Sequence, residues 1–255
     1  MPTVRRTRRK VSAQDDQLEL ARAVQRSLLP PPLAPGAQFE LAARFAPAEA
    51  VAGDFYDYFQ LSPEQVGFYL GDVQGKGLEG AMYAALVSGI MRGLQKTGNQ
   101  PAQVLDFLNR RLRLRPIPNK FCALAYAIVE LAGRRLTLSN AGLPYPLLCR
   151  GGRCTRIELA GFPLGLFDAA SYEQVEVALA PGDLLVFYTD GLPDSLEGRG
   201  VEDGETVVRA ILEAAVNVAA EQLADRLVAQ LPAGAGGKHA RPLLDDATFL
   251  VLKLW

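Results

Sequence analysis

The chain has 255 residues, 49% hydrophobic and 22% charged, with a formal net charge of -1. That length can bury a full core as one large domain or as one domain plus a short appendage, and the near-neutral charge excludes a whole-molecule field that would recruit nucleic acid or an anionic membrane. No apolar run approaches the ~18 residues that cross a bilayer, and none follows the basic start as a secretory signal requires, so a cytoplasmic protein without membrane span is expected.

Residues 1–14 carry Arg5, Arg6, Arg8, Arg9 and Lys10 and are expected to form a solvated, disordered basic tail. From Asp15 to Leu29, Leu18, Ala21, Val24, Gln25 and Leu28 recur at helical spacing until Pro30, Pro31 and Pro32 end the helix. Residues 15–32 thus read as a linker or regulatory element, ahead of a main domain over 33–255. The helix's apolar stripe needs a partner: its own domain, a separate upstream regulator, or a second copy in a homodimer through the 15–29 helix.

β-like signals begin at Phe39. Gln65 to Leu70 alternates and ends at Gly71-Asp72, a strand that delivers a carboxylate, and Gly77 to Gln95 follows at helical period. Pro101 opens a second helix through Leu112. Phe121–Leu131 with Leu136–Asn140, and Pro146–Arg150 with Arg153–Leu159, read as hairpins, the second turning at Gly151-Gly152. Tyr172 to Leu179 alternates, Pro181-Gly182-Asp183 turns, and Leu184 to Tyr188 is apolar enough for burial on both faces. Glu205–Ala215 and Glu221–Leu231 read as helices, and Ala247–Leu252 as a last strand. Hairpins with helices inserted in pairs predict α+β layers rather than a doubly wound parallel sheet.

Chemistry concentrates in four acidic turns: Gly53-Asp54, Gly71-Asp72, Asp190-Gly191 and Asp245-Asp246. At least three adjoin strand-like runs, so strands laid side by side would gather their carboxylates at one end of a sheet. Each turn alone is ordinary, and Asp57 could replace Asp54; four in this order are hard to explain as turns. Aspartate oxygens without His or Cys suit Mg²⁺ or Mn²⁺. The lone His239 lies in a glycine-rich loop, a poor place for triad chemistry, and Gly71 to Gly77 fails the Walker spacing. Cys122, Cys149 and Cys154 lack Cys-x-x-Cys spacing and predict neither a disulfide framework nor a zinc site.

These motifs resemble the SpoIIE/RsbU-like bacterial serine phosphatases, a branch of the metal-dependent type 2C protein phosphatases. The resemblance runs from about Leu20 to the C-terminus, through Ala23 to Pro30, Ala52 to Asp57, Gly71 to Gly77, Asn140-Ala141-Gly142, Pro163-Leu164-Gly165, Pro181-Gly182-Asp183, Tyr188 to Gly191 and Asp245 to Thr248. It implies a four-layer αββα sandwich of two antiparallel sheets flanked by helix pairs, with two Mn²⁺ or Mg²⁺ ions at one end. Asp54 and Asp72 would hold one ion; Asp72, Asp190 and Asp245 the other; the Val73 carbonyl would add a ligand, with Asp246 as the alternative to Asp245. A metal-activated water would then hydrolyse phosphoserine or phosphothreonine.

The partner so implied is a phosphorylated anti-sigma-factor antagonist, in a sigma-factor or stress-response pathway, and the residues ahead of 15 are expected to be too few for a sensor domain. Two departures from the family pattern stand out: Ala52 where many members have Gly, and Leu143 where many have His. A non-catalytic module that keeps the fold to dock a partner, and a metal phosphohydrolase of a small molecule, remain as alternatives.

Overall fold

The computed structural model describes residues 13–33, 38–95, 98, 100–197, 203–215, 217–232 and 243–255. In chain order the elements are α1 (Ala13–Leu28), β1 (Phe39–Ala46), β2 (Phe55–Ser62), β3 (Gln65–Val73), α2 (Gly77–Leu94), α3 (Pro101–Arg113), β4 (Cys122–Glu130) and β5 (Arg135–Ala141). They continue with β6 (Leu147–Arg150), β7 (Arg153–Arg156), β8 (Val175–Ala178), β9 (Leu184–Tyr188), α4 (Gly191–Asp194), α5 (Gly204–Glu213), α6 (Ala220–Val228) and β10 (Ala247–Leu254). The expected basic tail lies outside the described residues up to residue 12, as does His239.

Two five-stranded sheets form, in the orders β1-β10-β9-β6-β7 and β2-β3-β4-β5-β8, and every strand pairing is antiparallel. The period-2 alternation of apolar residues sorts side chains between layers. Val66, Phe68 and Leu70 of β3 meet Leu185 and Phe187 of β9 and Leu250 and Leu252 of β10 between the sheets, where Phe68 and Phe187 pack edge-on at 4.9 Å. Tyr69 and Val73 point the other way, onto Tyr83, Val87 and Met91 of α2 and Leu105 and Leu108 of α3. On the opposite flank Val186, Phe249 and Val251 meet Val208 and Leu212 of α5 and Leu223 and Leu227 of α6. The result is the expected four-layer αββα sandwich.

Local signals account for much of this. Pro101 sits in the first turn of α3 behind a capping box between Gln100 and Gln103. Other elements depart from expectation. β3 runs on through Val73, so Asp72 lies within the strand rather than at its end. β7 stops at Arg156, and the four-residue helix α4 starts directly after Asp190.

The cysteine expectation is corrected: Cys149 and Cys154 are joined by a disulfide across the β6–β7 hairpin. The Gly151-Gly152 turn sets a register in which these residues face each other, with Cα atoms 3.9 Å apart. Cys122 is free and buried.

Candidate functional site

Strand parity assembles the first half of the site. Asp72 continues the inward face of Val66, Phe68 and Leu70 to the open end of the sandwich. Asp54, two residues before the inward-facing Tyr56, follows the same rule and is 1% exposed. Asp57 is an odd number of residues away and faces outward, toward α2, where Arg92 Nε meets its Oδ2 at 2.8 Å. It therefore does not stand in for Asp54, as the sequence had left open.

The second half depends on close backbone approach. A Cβ on Gly191 would overlap the Asp246 carbonyl, so only glycine lets the Asp190 turn pack on the Asp245-Asp246 turn. At Gly53 a Cβ would stand 3.1 Å from both the Val73 and Gly75 carbonyls, which brings the Asp54 turn onto the end of β3. Asp246 is a tether: its Oδ1 accepts from Ala48 N at 2.8 Å and its Oδ2 from Gly53 N at 2.7 Å. Asp245 is half-exposed and reached by Lys76 Nζ at 3.0 Å.

Electrostatics bind these carboxylates into one group. Burial, then the neighbouring Asp72, pushes the Asp54 carboxyl well above its usual range. Burial first, then the charges of Asp190, Asp245 and Asp246, pushes Asp72 up to about 7. Asp190 is raised by burial and by Asp194 and Asp245, and Asp246 is raised chiefly by burial. Thr189 Oγ1 donates to Asp54 Oδ2 at 2.8 Å, while the buried Thr248 hydroxyl beside the same carboxylate has no hydrogen-bond partner of full geometry. Among the described residues Asp54 meets no cation, and no three acidic, His or Cys side chains converge closely enough to hold an ion as they stand.

A buried carboxylate without a cation costs several kcal/mol or takes up a proton. Oxygen-only donors, a buried hydroxyl beside the deepest one and raised carboxyls suit a hard divalent cation, so the chemistry of the donor set, though not its present spacing, fits such an ion. The cavity reaching Asp54 from α1 and α2 measures ≈ 20 Å³, room for about one water molecule.

Several contributors lie outside the four acidic turns. Lys76 bridges from the turn before α2 to the Asp245 turn, donating also to Leu244 O at 2.6 Å. Lys120, its side chain 6% exposed, donates to Gln74 O at 2.9 Å and pairs with Glu79 at 3.1 Å beneath the Gly75 turn. From α1, Gln25 exchanges both amide bonds with the backbone of Ala52, at 2.7 and 3.0 Å, and Arg22 reaches Ala50 O at 2.9 Å. Arg92 closes the contact on Leu28 O. Leu143 is buried in the intersheet core, with Asn140 bonding both its backbone groups.

Known proteins share this architecture. The SiaA-PP2C domain of Pseudomonas aeruginosa superposes with a TM-score of 0.78 at 23% identity, over 93% of this chain and 96% of that one. The PP2C phosphatase domain of SpoIIE from Bacillus subtilis, with a fragment of its regulatory domain, gives 0.72 at 18% identity, over 85% of this chain and 61% of that one. In sequence, the phosphoserine phosphatase RsbU of Bacillus subtilis (strain 168) is 27% identical over 186 residues, 72% of this chain and 55% of that protein. The phosphoserine phosphatase RsbP of the same organism is 25% identical over 184 residues, 70% of this chain and 45% of that protein. The chain spans about half the length of these curated relatives. The model of the family described as Stage II sporulation protein E (SpoIIE) matches residues 62–255, well over half of the chain, and the chain belongs to that family.

Proposed function

We propose that this protein is a Mn²⁺- or Mg²⁺-dependent phosphatase that removes phosphate from phosphoserine or phosphothreonine on a regulatory protein. The observation that carries this reading is the carboxylate group at one end of the sandwich, Asp54 and Asp72 on the inward face with Asp190 and Asp245 on the turns packed beside them: burial and neighbouring charge raise Asp54, Asp72 and Asp190, and no arginine among the described residues pairs with any of the four. The relatives named phosphoserine phosphatases support it.

In this reading Asp54, Asp72, Asp190, Asp245 and the Val73 carbonyl hold two ions. Ions bound there supply a water deprotonated near neutral pH and neutralise charge on the phosphoryl oxygens. The rest falls to the chain's own groups. Thr189 fixes the Asp54 carboxylate by donating to Oδ2. Asp246, with both oxygens on backbone N–H groups, locks the Asp54 turn to the Asp245 turn and leaves Asp245 as the ligand of the pair. Lys76 steadies Asp245 from outside. The phosphoryl group passes to water, and the serine hydroxyl and inorganic phosphate are released.

Residues 33–255 act as the catalytic domain, and α1, clasping Ala52 two residues before Asp54, as its regulatory element. A phosphorylated anti-sigma-factor antagonist is the natural substrate class, given relatives such as RsbU and the solved "RsbU and RsbW domains of Rv1364c" from Mycobacterium tuberculosis. Hydrolysis of p-nitrophenyl phosphate across a Mn²⁺ titration tests the reading. Saturable, metal-dependent turnover lost in Asp72→Asn and Asp190→Asn is expected; turnover in Asp72→Asn within a few-fold of wild type contradicts it.

A further inference from the structure

A surface beside the acidic end can be traced outward from Asp72 along a chain of hydrogen bonds. Val73 pairs with Cys122 at the start of β4, Cys122 and Leu164 exchange hydrogen bonds of 2.9 and 2.7 Å, and the next carbonyl, Gly165 O, accepts from Arg113 of α3 at 3.2 Å. Arg113 also binds Asp168 at 2.5 Å, and Asn109 holds Gly165 N and Phe167 O. The last turn of α3 and the segment around Leu164 are thus fixed to each other and to the strand that carries Asp72. Two strand spacings separate Leu164 from Val73, about 10 Å.

The last turn of α3 is cationic, and the segment that Arg113 and Asn109 hold against it exposes apolar side chains. Arg110, Arg111 and Arg115 are exposed and form no salt bridge with a described residue. Between them Leu114 is 69% exposed, and Phe162 and Phe167, 59% and 48% exposed, pack edge-on at 5.0 Å. Across the acidic end the rim has the opposite sign, with Glu49, Asp194 and Glu197 all exposed. Arginine and aromatic side chains on a rigid scaffold are the composition of a protein-docking surface, and the rim's asymmetry would orient an acidic partner with its charge toward α3. The acidic rim also argues against nucleic acid or an anionic bilayer as the occupant.

We propose that this face docks the phosphorylated substrate protein and selects acidic and apolar residues about three positions or more from the phosphoserine, since Leu164, at the near edge of the face, lies about 10 Å from Val73 and an extended chain covers that in about three residues. The proposal rests on the phosphatase reading above.

Two synthetic phosphoserine peptides test it, alike except that one carries Glu and Leu and the other Lys and Leu at those positions, with p-nitrophenyl phosphate as a substrate too small to reach the face. Wild type should favour the acidic peptide in kcat/KM by about tenfold at low ionic strength, less as salt rises. Arg110→Gln with Arg111→Gln should abolish most of that preference while leaving p-nitrophenyl phosphate turnover unchanged, and the paired Lys replacements should restore it. Equal rates on the two peptides, or a preference that survives the Gln variant, overturn the docking face while the phosphatase stands. Arginine-dependent binding to vesicles of phosphatidylcholine and phosphatidylserine in equal parts, with no peptide preference, assigns the face to membrane and overturns it too. No turnover of any of the three substrates by Mn²⁺-loaded wild type overturns both readings.

Discussion

Two sets of buried aspartates in this protein are treated in opposite ways. Asp57 and Asp183 lie 5% and 0% exposed, and each meets an arginine: Arg92 at 2.8 Å for the first, a two-pronged Arg150 at 2.8 and 2.6 Å for the second. Ala180 N adds a third bond to Asp183. Asp54 is as deeply buried as either, yet its neighbours are Asp72, Asp246 and two threonine hydroxyls. Asp183 and Asp190 even flank the same strand, β9, one at each end. The fold can supply an arginine to a buried carboxylate and does so away from the open end. At Asp54 no described residue supplies that positive charge, and this is the gap that the proposed ions would fill.

The largest effect should come from removing a carboxylate at the unpaired end. Asp54→Asn or Asp72→Asn should cost at least about a hundredfold in metal-dependent phosphatase activity while the fold persists. Asp183→Asn should do the reverse, lowering stability by about 2 kcal/mol, a melting shift of roughly 5 °C, with near-normal turnover at low temperature. Denaturation curves beside kinetics for the two kinds of variant would break the comparison if both lost the same property.

A smaller effect is pH-dependent. The Asp72 carboxyl is raised in the folded state to about 7 from 3.8, so its contribution is full below the lower value and is lost as pH rises through the upper one. Metal-free Asp72→Asn, a mimic of the protonated form, should therefore melt above metal-free wild type at pH 8, by a few degrees, with the gap closing toward pH 5. A constant gap across that range would remove the charge-repulsion account. The smallest expected change is Gln25→Ala, which gives up both amide bonds to Ala52 and should cost about 1 kcal/mol. Its sharper readout is Mn²⁺ affinity, which should weaken if α1 steadies the Asp54 turn.

The layers were legible because alternation is local: Gln65 to Leu70 spells an inward and an outward face, and helices in pairs between hairpins leave little choice of architecture. The acidic turns were legible because glycine and aspartate at strand ends have local causes. Asp57 was ambiguous only until parity was applied, since odd spacing from Asp54 turns it outward to Arg92. The Cys149–Cys154 bond was also within reach, for a two-residue turn at Gly151-Gly152 makes those positions face each other. What could not be read was tertiary. Lys120 finds Gln74 O and Glu79, Lys76 finds Asp245, and Gln25 finds Ala52 through packing, with no signature in spacing. The site's order thus comes in part from residues outside the acidic turns.

The most direct measurement is calorimetric titration of Mn²⁺ into metal-stripped wild type, Asp54→Asn and Asp57→Asn. Saturable binding in wild type and Asp57→Asn, lost or strongly weakened in Asp54→Asn, is the result this account predicts. Equal binding by the two variants, or none by folded wild type, would contradict it.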